Sequence, residues 1–287
     1  MKKLNCPLAL TVIAAALWVT GCSTDTALVG TPRKETVHAL TQALELLTLN
    51  AGQPGRVLQR VALKGLPAGE ALVGIDYRVS KGVLFTLSRS GRVYTINTES
   101  GALAPVGGTP IASAMEGAAF GFDFNPAADR IRLVSNTGQN LRLHPDTGAL
   151  VAVDAPLTFD LGDSQAGQKP QLLAAAYTYN KKDEKITTNF AIDGRTGTLV
   201  RQGSAEGAQP AVSPNTGRLV TVGALGTGSV QDASMDIADT SGAAFAALRS
   251  VAQGPTRLYL VNLESGKADV LGTVGTGAAL VGIAVIP

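Results

Sequence analysis

The sequence predicts an all-β protein, a small β-propeller with five blades favoured over six, and two observations carry that prediction. One is an internal repeat of roughly fifty residues with strand and turn periodicity. The other is a copy of that repeat divided between the two ends of the chain.

The repeat is clearest where Leu72-Val-Gly-Ile-Asp-Tyr-Arg-Val79 is set above Ala119-Phe-Gly-Phe-Asp-Phe-Asn-Pro126. Glycine, aspartate and apolar positions coincide. Each unit continues through two more apolar runs, Val83 to Leu87 and Arg92 to Ile96 in the first, Ile131 to Val134 and Asn140 to His144 in the second. Each then reaches a matching turn, Thr98-Glu-Ser-Gly101 or Pro145-Asp-Thr-Gly148, before a last short strand. Short alternating runs bounded by glycine turns are strand and hairpin signals. Weaker copies begin at Leu173 and Ser234, with turns at Gly194-Arg-Thr-Gly197 and Glu264-Ser-Gly266.

The divided copy sets the topology. Leu280-Val-Gly-Ile-Ala-Val-Ile-Pro287 repeats Leu72 to Val79 and then stops, whereas the domain begins in mid-unit with Val37 to Leu40 and Glu45 to Leu49. A first strand from the C-terminus and the remainder from the N-terminus closes a propeller ring and removes exposed sheet edges. A β-sandwich would not explain it. First strands near residues 72, 119, 173, 233 and 280 give five blades. The stretch Pro210 to Gly228 carries its own glycine turn and is either a sixth, degenerate blade or an insertion.

The first residues read as an export signal. Lys2 and Lys3 precede an apolar run from Pro7 to Val19, and Val19-Thr-Gly-Cys22 ends it with small residues before a cysteine. That pattern is secretory rather than membrane-spanning, since a span needs about 20 apolar residues. The tetrapeptide resembles the bacterial lipobox. The resemblance implies cleavage before Cys22, acylation of its sulfur, and, with Ser23 rather than aspartate next, delivery to the outer membrane of a Gram-negative cell. The expected organisation is a signal peptide at 1–21, a lipidated tether at 22–35 and a propeller at 36–287. Cys6 leaves with the signal, so no cysteine remains for a disulfide or a metal.

Charge limits the partners. Removing Lys2 and Lys3 from 24 basic and 22 acidic side chains leaves 22 of each. Without a basic cluster, nucleic acid is excluded as a partner, and the membrane is met only through the lipid on Cys22. An envelope protein or a small ligand remains.

Several segments resemble the bacterial DUF4394 family: Leu72 to Arg78, Gly121-Phe-Asp-Phe-Asn-Pro-Ala-Ala-Asp-Arg-Ile-Arg132, Thr137 to Gly148 and Ser213 to Gly223. The resemblance implies a secreted propeller-like domain and brings no activity with it.

Catalytic signatures are sparse. His38 and His144 lie apart in expected strands, without metal-ligand spacing. No Gly-x-Ser-x-Gly elbow or phosphate-binding loop is present. One constellation stands out: Asp76, Asp123 and Asp236 share one position of three first strands, with Thr178 and Ala284 expected there in the other two. First strands line a propeller channel, so these positions form a ring. Converging carboxylates either share protons or hold a cation, and Ca²⁺ or Mg²⁺ takes oxygen ligands. Asn125 and Arg78, two residues further along, would complete or modulate the site. Alternatively, each aspartate accepts backbone N–H bonds within its own blade. Asp129, Arg130 and Arg132 are read as a structural hairpin cluster. The leading functional reading is a non-enzymatic binding module. The competing one is a metal-dependent hydrolase or lactonase-like enzyme using the aspartate ring.

Overall fold

The structure, a computed structural model, describes residue 1 and residues 30–287 except 109, 112–114 and 252–253. The expected signal segment, Cys22 and the expected tether as far as residue 29 lie outside the described residues.

The alternation seen in the sequence becomes strands β1 (Thr36–Thr41), β2 (Glu45–Asn50) and β3 (Val57–Ala62) at the start of the domain. Blade 2 follows as β4 (Leu72–Arg78), β5 (Val83–Ser88), β6 (Val93–Ile96) and β7 (Leu103–Pro105). Blade 3 is β8 (Phe120–Asn125), β9 (Arg130–Ser135), β10 (Asn140–Leu143) and β11 (Leu150–Val153). A short β12 (Thr158–Phe159) precedes blade 4, formed by β13 (Leu172–Tyr177), β14 (Asn189–Asp193), β15 (Thr198–Gln202) and β16 (Arg218–Ala224). Blade 5 is β17 (Asp232–Ile237), β18 (Ala244–Arg249), β19 (Arg257–Val261) and β20 (Ala268–Thr273), and β21 (Leu280–Val285) ends the chain.

The divided repeat is the closure. β21 pairs antiparallel with β1, placing Ile283 opposite Ala39 and Val285 opposite Val37. Blade 1 therefore reads β21-β1-β2-β3, and the five sheets form a five-bladed propeller. The stretch from Pro210 to Gly228 is not a sixth blade. It supplies β16, which pairs with β15 as the fourth strand of blade 4, and β12 adds to its outer edge in parallel. A strand already paired on both sides has no edge left from which to start another sheet.

Buried apolar side chains fall into five clusters, each at a junction between neighbouring blades. Phe245 and Leu40, both fully buried, each contribute on the order of 2–3 kcal/mol by leaving water. Toward the axis the inner strands must converge, and this explains the repeated glycine. A Cβ on Gly74 would lie 2.5 Å from the Phe122 Cβ, and one on Gly121 would lie 2.5 Å from the Ala175 nitrogen. Ala174 and Ser234 hold the corresponding places on β13 and β17, two residues before the ring position.

One kind of turn also repeats for a physical reason, joining third and fourth strands in blades 2, 3 and 5 and second and third strands in blade 4. The N–H of Gly101, Gly148, Gly197 and Gly266 donates to the carbonyl four residues back, and each of these glycines has φ between 62° and 79°, where a Cβ is unfavourable. The side chain at the head of the turn, Asn97, Asp193 or Asn262, accepts two backbone N–H bonds. His144 serves the same place through Nδ1, accepting from the Asp146 N–H.

Candidate functional site at the channel mouth

The inner strands run side by side from one end of the channel to the other, so equivalent residues on them face a common axis. The cross-strand register identifies the equivalents. Asp76 lies opposite Phe85, Asp123 opposite Arg132, Ala176 opposite Phe190, Asp236 opposite Phe245 and Ala284 opposite His38. The ring position in blade 4 is thus Ala176, and Thr178 falls two residues beyond it. Thr178 sits past the end of β13, where its hydroxyl donates to Glu206 and accepts from the Thr188 N–H.

The three aspartates do meet. Asp76, Asp123 and Asp236 are all buried, and one carboxylate oxygen from each lies within 4.8 Å of the others. A buried triad of this kind could hold a metal ion. It lies at the mouth of the channel, in a cavity of about 50 Å³, enough for a few water molecules or a partly hydrated ion. Tyr77, Tyr177, Tyr179 and Asp239 share its walls.

Hydrogen bonding fixes the carboxylates from two directions. Asp76 accepts the N–H of Tyr77 in its own strand at 2.7 Å and that of Phe124 in the next blade at 2.7 Å. Asp236 accepts from Ile237 and, across the closure, from Val285, both at 2.6 Å. Asp123 accepts from Tyr177 of blade 4 at 3.0 Å through Oδ1. The expected bond within the aspartate's own blade is present for Asp76 and Asp236, and all three aspartates clasp the following blade. The clasps are missing where Ala176 and Ala284 occupy the ring.

Five of the six oxygens accept backbone donors, which leaves Asp123 Oδ2 without a donor among the described residues. Burial raises all three pKa values, to about 6 for Asp236 and well above the usual range for Asp76 and Asp123, whose near neighbours add repulsion. The five backbone N–H bonds oppose that shift by favouring the charged form. An oxygen that already accepts an N–H is a poor place for a proton, so Asp123 Oδ2 is the natural site for the first one.

Arg78 lines the mouth but does not reach the triad. Its guanidinium is claimed by Asp129 at 2.8 Å and by Asp146, both in blade 3. Asn125 also lines the mouth, and its Oδ1 accepts the N–H of Ala128. Asp129 has φ of 50° at the β8–β9 hairpin, so the expected turn role holds, with the ion pair to Arg78 added. Arg132 is 2% exposed and bridges blades 3 and 4. It donates to Tyr177 Oη, Asn140, Asp154 and Asn215 at 2.6–2.9 Å. His38 is buried, stacks on Tyr77 and bonds Thr48. Asp239 and Tyr179 carry no repeat marker, since both follow their strands in irregular segments.

Comparison with solved structures finds distant likenesses only. A chain of the nidogen/laminin complex matches with TM-score 0.46 and 12% identity, covering 88% of this chain and 98% of that one. Myxococcus xanthus glutaminyl cyclase matches with TM-score 0.48 and 14% identity, covering 84% and 97%. A structural genomics protein of unknown function from Bacteroides thetaiotaomicron matches with TM-score 0.46 and 9% identity, covering 83% and 56%. These likenesses bear on neither ligand nor reaction. No curated protein matches the chain. The family model described as domain of unknown function DUF4394 matches residues 45–284, and the chain belongs to that family.

Proposed function

We propose that this protein is a lipid-anchored, non-enzymatic binding module of the bacterial cell envelope whose centre is a divalent-cation site at Asp76, Asp123 and Asp236. The observation that carries the cation reading is the convergence of three buried carboxylates with no Lys or Arg paired to any of them among the described residues. Such a group left ionised in a low-dielectric site is strongly unfavourable. A cation removes the repulsion and keeps all five backbone bonds, because each oxygen retains a second lone pair.

The donor set favours a hard ion. One oxygen of each aspartate lies within 4.8 Å of the others, close enough for a single Ca²⁺ or Mg²⁺ to draw all three into its coordination shell. Water in the remaining cavity would complete the coordination. The anchor reading rests on Cys22 and the residues before it. Membership of the outer membrane rests on Ser23 by resemblance.

The test is elemental analysis of the full-length protein in detergent, with thermal unfolding in chelator and in added Ca²⁺ or Mg²⁺. A stoichiometric ion and a stabilisation lost in Asp123→Asn support the site. No ion and no shift with either metal would remove it.

A further inference from the structure

A second cavity, of about 160 Å³, adjoins the mouth at the junction of blades 3 and 4. Three arginines, Arg130, Arg132 and Arg142, line it together with Tyr177 and Ser213. No carboxylate lines it. Like charges gathered in one pocket repel, and the protein offsets them only in part. Asp154, 6% exposed, pairs with both Arg132 and Arg142 at 2.8 Å. Arg130 has no ion pair among the described residues, and its guanidinium donates to the carbonyl of Asp129 at 2.7 Å. One carboxylate therefore serves two of the three cationic side chains, and the third has none.

The donors are also in surplus. Among the described residues, Arg142 spends Nε and Nη2 on Asp154 and leaves Nη1 uncommitted, and Arg130 has one hydrogen bond, to the Asp129 carbonyl. Arg132 is held rigidly by its four partners, so the pocket floor is ordered before any ligand arrives. Planar guanidinium forks match the paired oxygens of carboxylates and phosphates. The cavity has room on the order of ten water molecules, more than an oxyanion alone requires.

We infer that the pocket bounded by Arg130, Arg132 and Arg142 is an oxyanion-binding site that takes the carboxylate or phosphate group of a small ligand. It is separate from the aspartate triad, although Tyr177 and Asn125 belong to both walls. The shared wall gives a small ligand bearing both an anionic group and a cation, or a cation-binding group, a continuous path along the channel mouth.

Calorimetric titration of full-length protein in detergent tests the site, with inorganic phosphate and succinate as probes that separate phosphate from carboxylate recognition. Arg130→Gln/Arg142→Gln is the principal variant, because Asp154 keeps Arg132 as its partner. At least one probe is expected to bind and to weaken about tenfold or more in that variant, while Asp76→Asn leaves its affinity within about twofold. Should the double variant not fold, Arg130→Gln alone, at the half-buried rim, is expected to weaken the same probe. Binding of neither probe, binding indifferent to the arginine variants, or binding lost equally in Asp76→Asn would overturn the assignment.

Discussion

The carboxylate of Asp236 accepts the backbone N–H of Val285 at 2.6 Å, tying the last strand of the chain to the blade before it. Its other oxygen is committed to Ile237, so Asp236 has no idle acceptor, whereas Asp123 has one. The two should respond differently to the same substitution. In metal-free protein at neutral pH, Asp236→Asn places an amide NH₂ against a buried backbone N–H and is expected to cost about 1–3 kcal/mol. Asp123→Asn keeps the bond to Tyr177, removes a repelling charge and should be neutral or stabilising. Denaturant unfolding of both variants decides it, and equal losses would refute the contrast.

The same carboxylates set a pH dependence. Their folded-state pKa values lie above the unfolded value near 3.9, about 6 for Asp236 and higher for the other two in direction. The folded state then binds more protons than the unfolded chain above pH 4, so stability falls as pH rises. From Asp236 alone the loss by neutral pH is on the order of 3 kcal/mol. Buried His38, whose pKa is lowered by burial, acts in the opposite direction below about pH 6.5. The informative quantity is therefore the difference between wild type and Asp123→Asn in metal-free buffer, expected to shrink as pH is lowered from 7.5 to 4.5. A difference that does not change with pH would contradict the shared burial of the triad.

Arg132 offers a stability test away from the triad. Arg132→Ala would leave Asp154 with only the half-exposed Arg142 and strip donors from Asn140, Asn215 and Tyr177. Breaking a buried pair in this way costs about 3–5 kcal/mol, read as a shift in the denaturant midpoint with circular dichroism to confirm the fold. A loss below about 1 kcal/mol would mean that Arg132 does not join blades 3 and 4.

Closure makes a topological prediction. Truncation after Ala279 removes β21 and exposes the edge of β1, and the product is expected to aggregate. A circular permutant that joins the natural ends of the domain and opens the β3–β4 loop near Gly69, where a Cβ would meet nothing within 4 Å, should fold with a melting temperature within several degrees of the parent. Soluble, cooperatively unfolding truncated protein would contradict the role given to β21.

Anchoring is tested in cells. Cys22→Ala is expected to move the protein from the membrane fraction or to leave the signal uncleaved. Normal processing with unchanged membrane retention would refute lipidation.

Sequence reading recovered the five-blade ring because Gly-x-Asp recurs at 74–76 and 121–123 and partly at 282, where convergence at the axis imposes the small residue. It misplaced blade 4 for the same reason. Leu172–Tyr177 carries alanines where the other strands carry glycine and aspartate, so nothing local set the register and Thr178 was put where Ala176 stands. A usable signal lay on the neighbouring strand: Phe85, Phe190 and Phe245 each lie opposite the ring position. Arg132 holds that same place in blade 3, which is how a residue read as part of a hairpin becomes the floor of a pocket. The clasp from each aspartate to the next blade is a contact between repeats, and alignment of repeats with one another cannot display it.

Because β21 supplies the inner strand of blade 1, the ring has no complete first blade until the final residues of the chain arrive. A chain still being synthesised can assemble blades 2 to 4, yet β1 must wait for a partner encoded some 240 residues later. Ring closure is thereby a late event in folding, whatever the order in which the other blades form. A product lacking β21 would present the unpaired edge of β1, and one that carries β21 would conceal it.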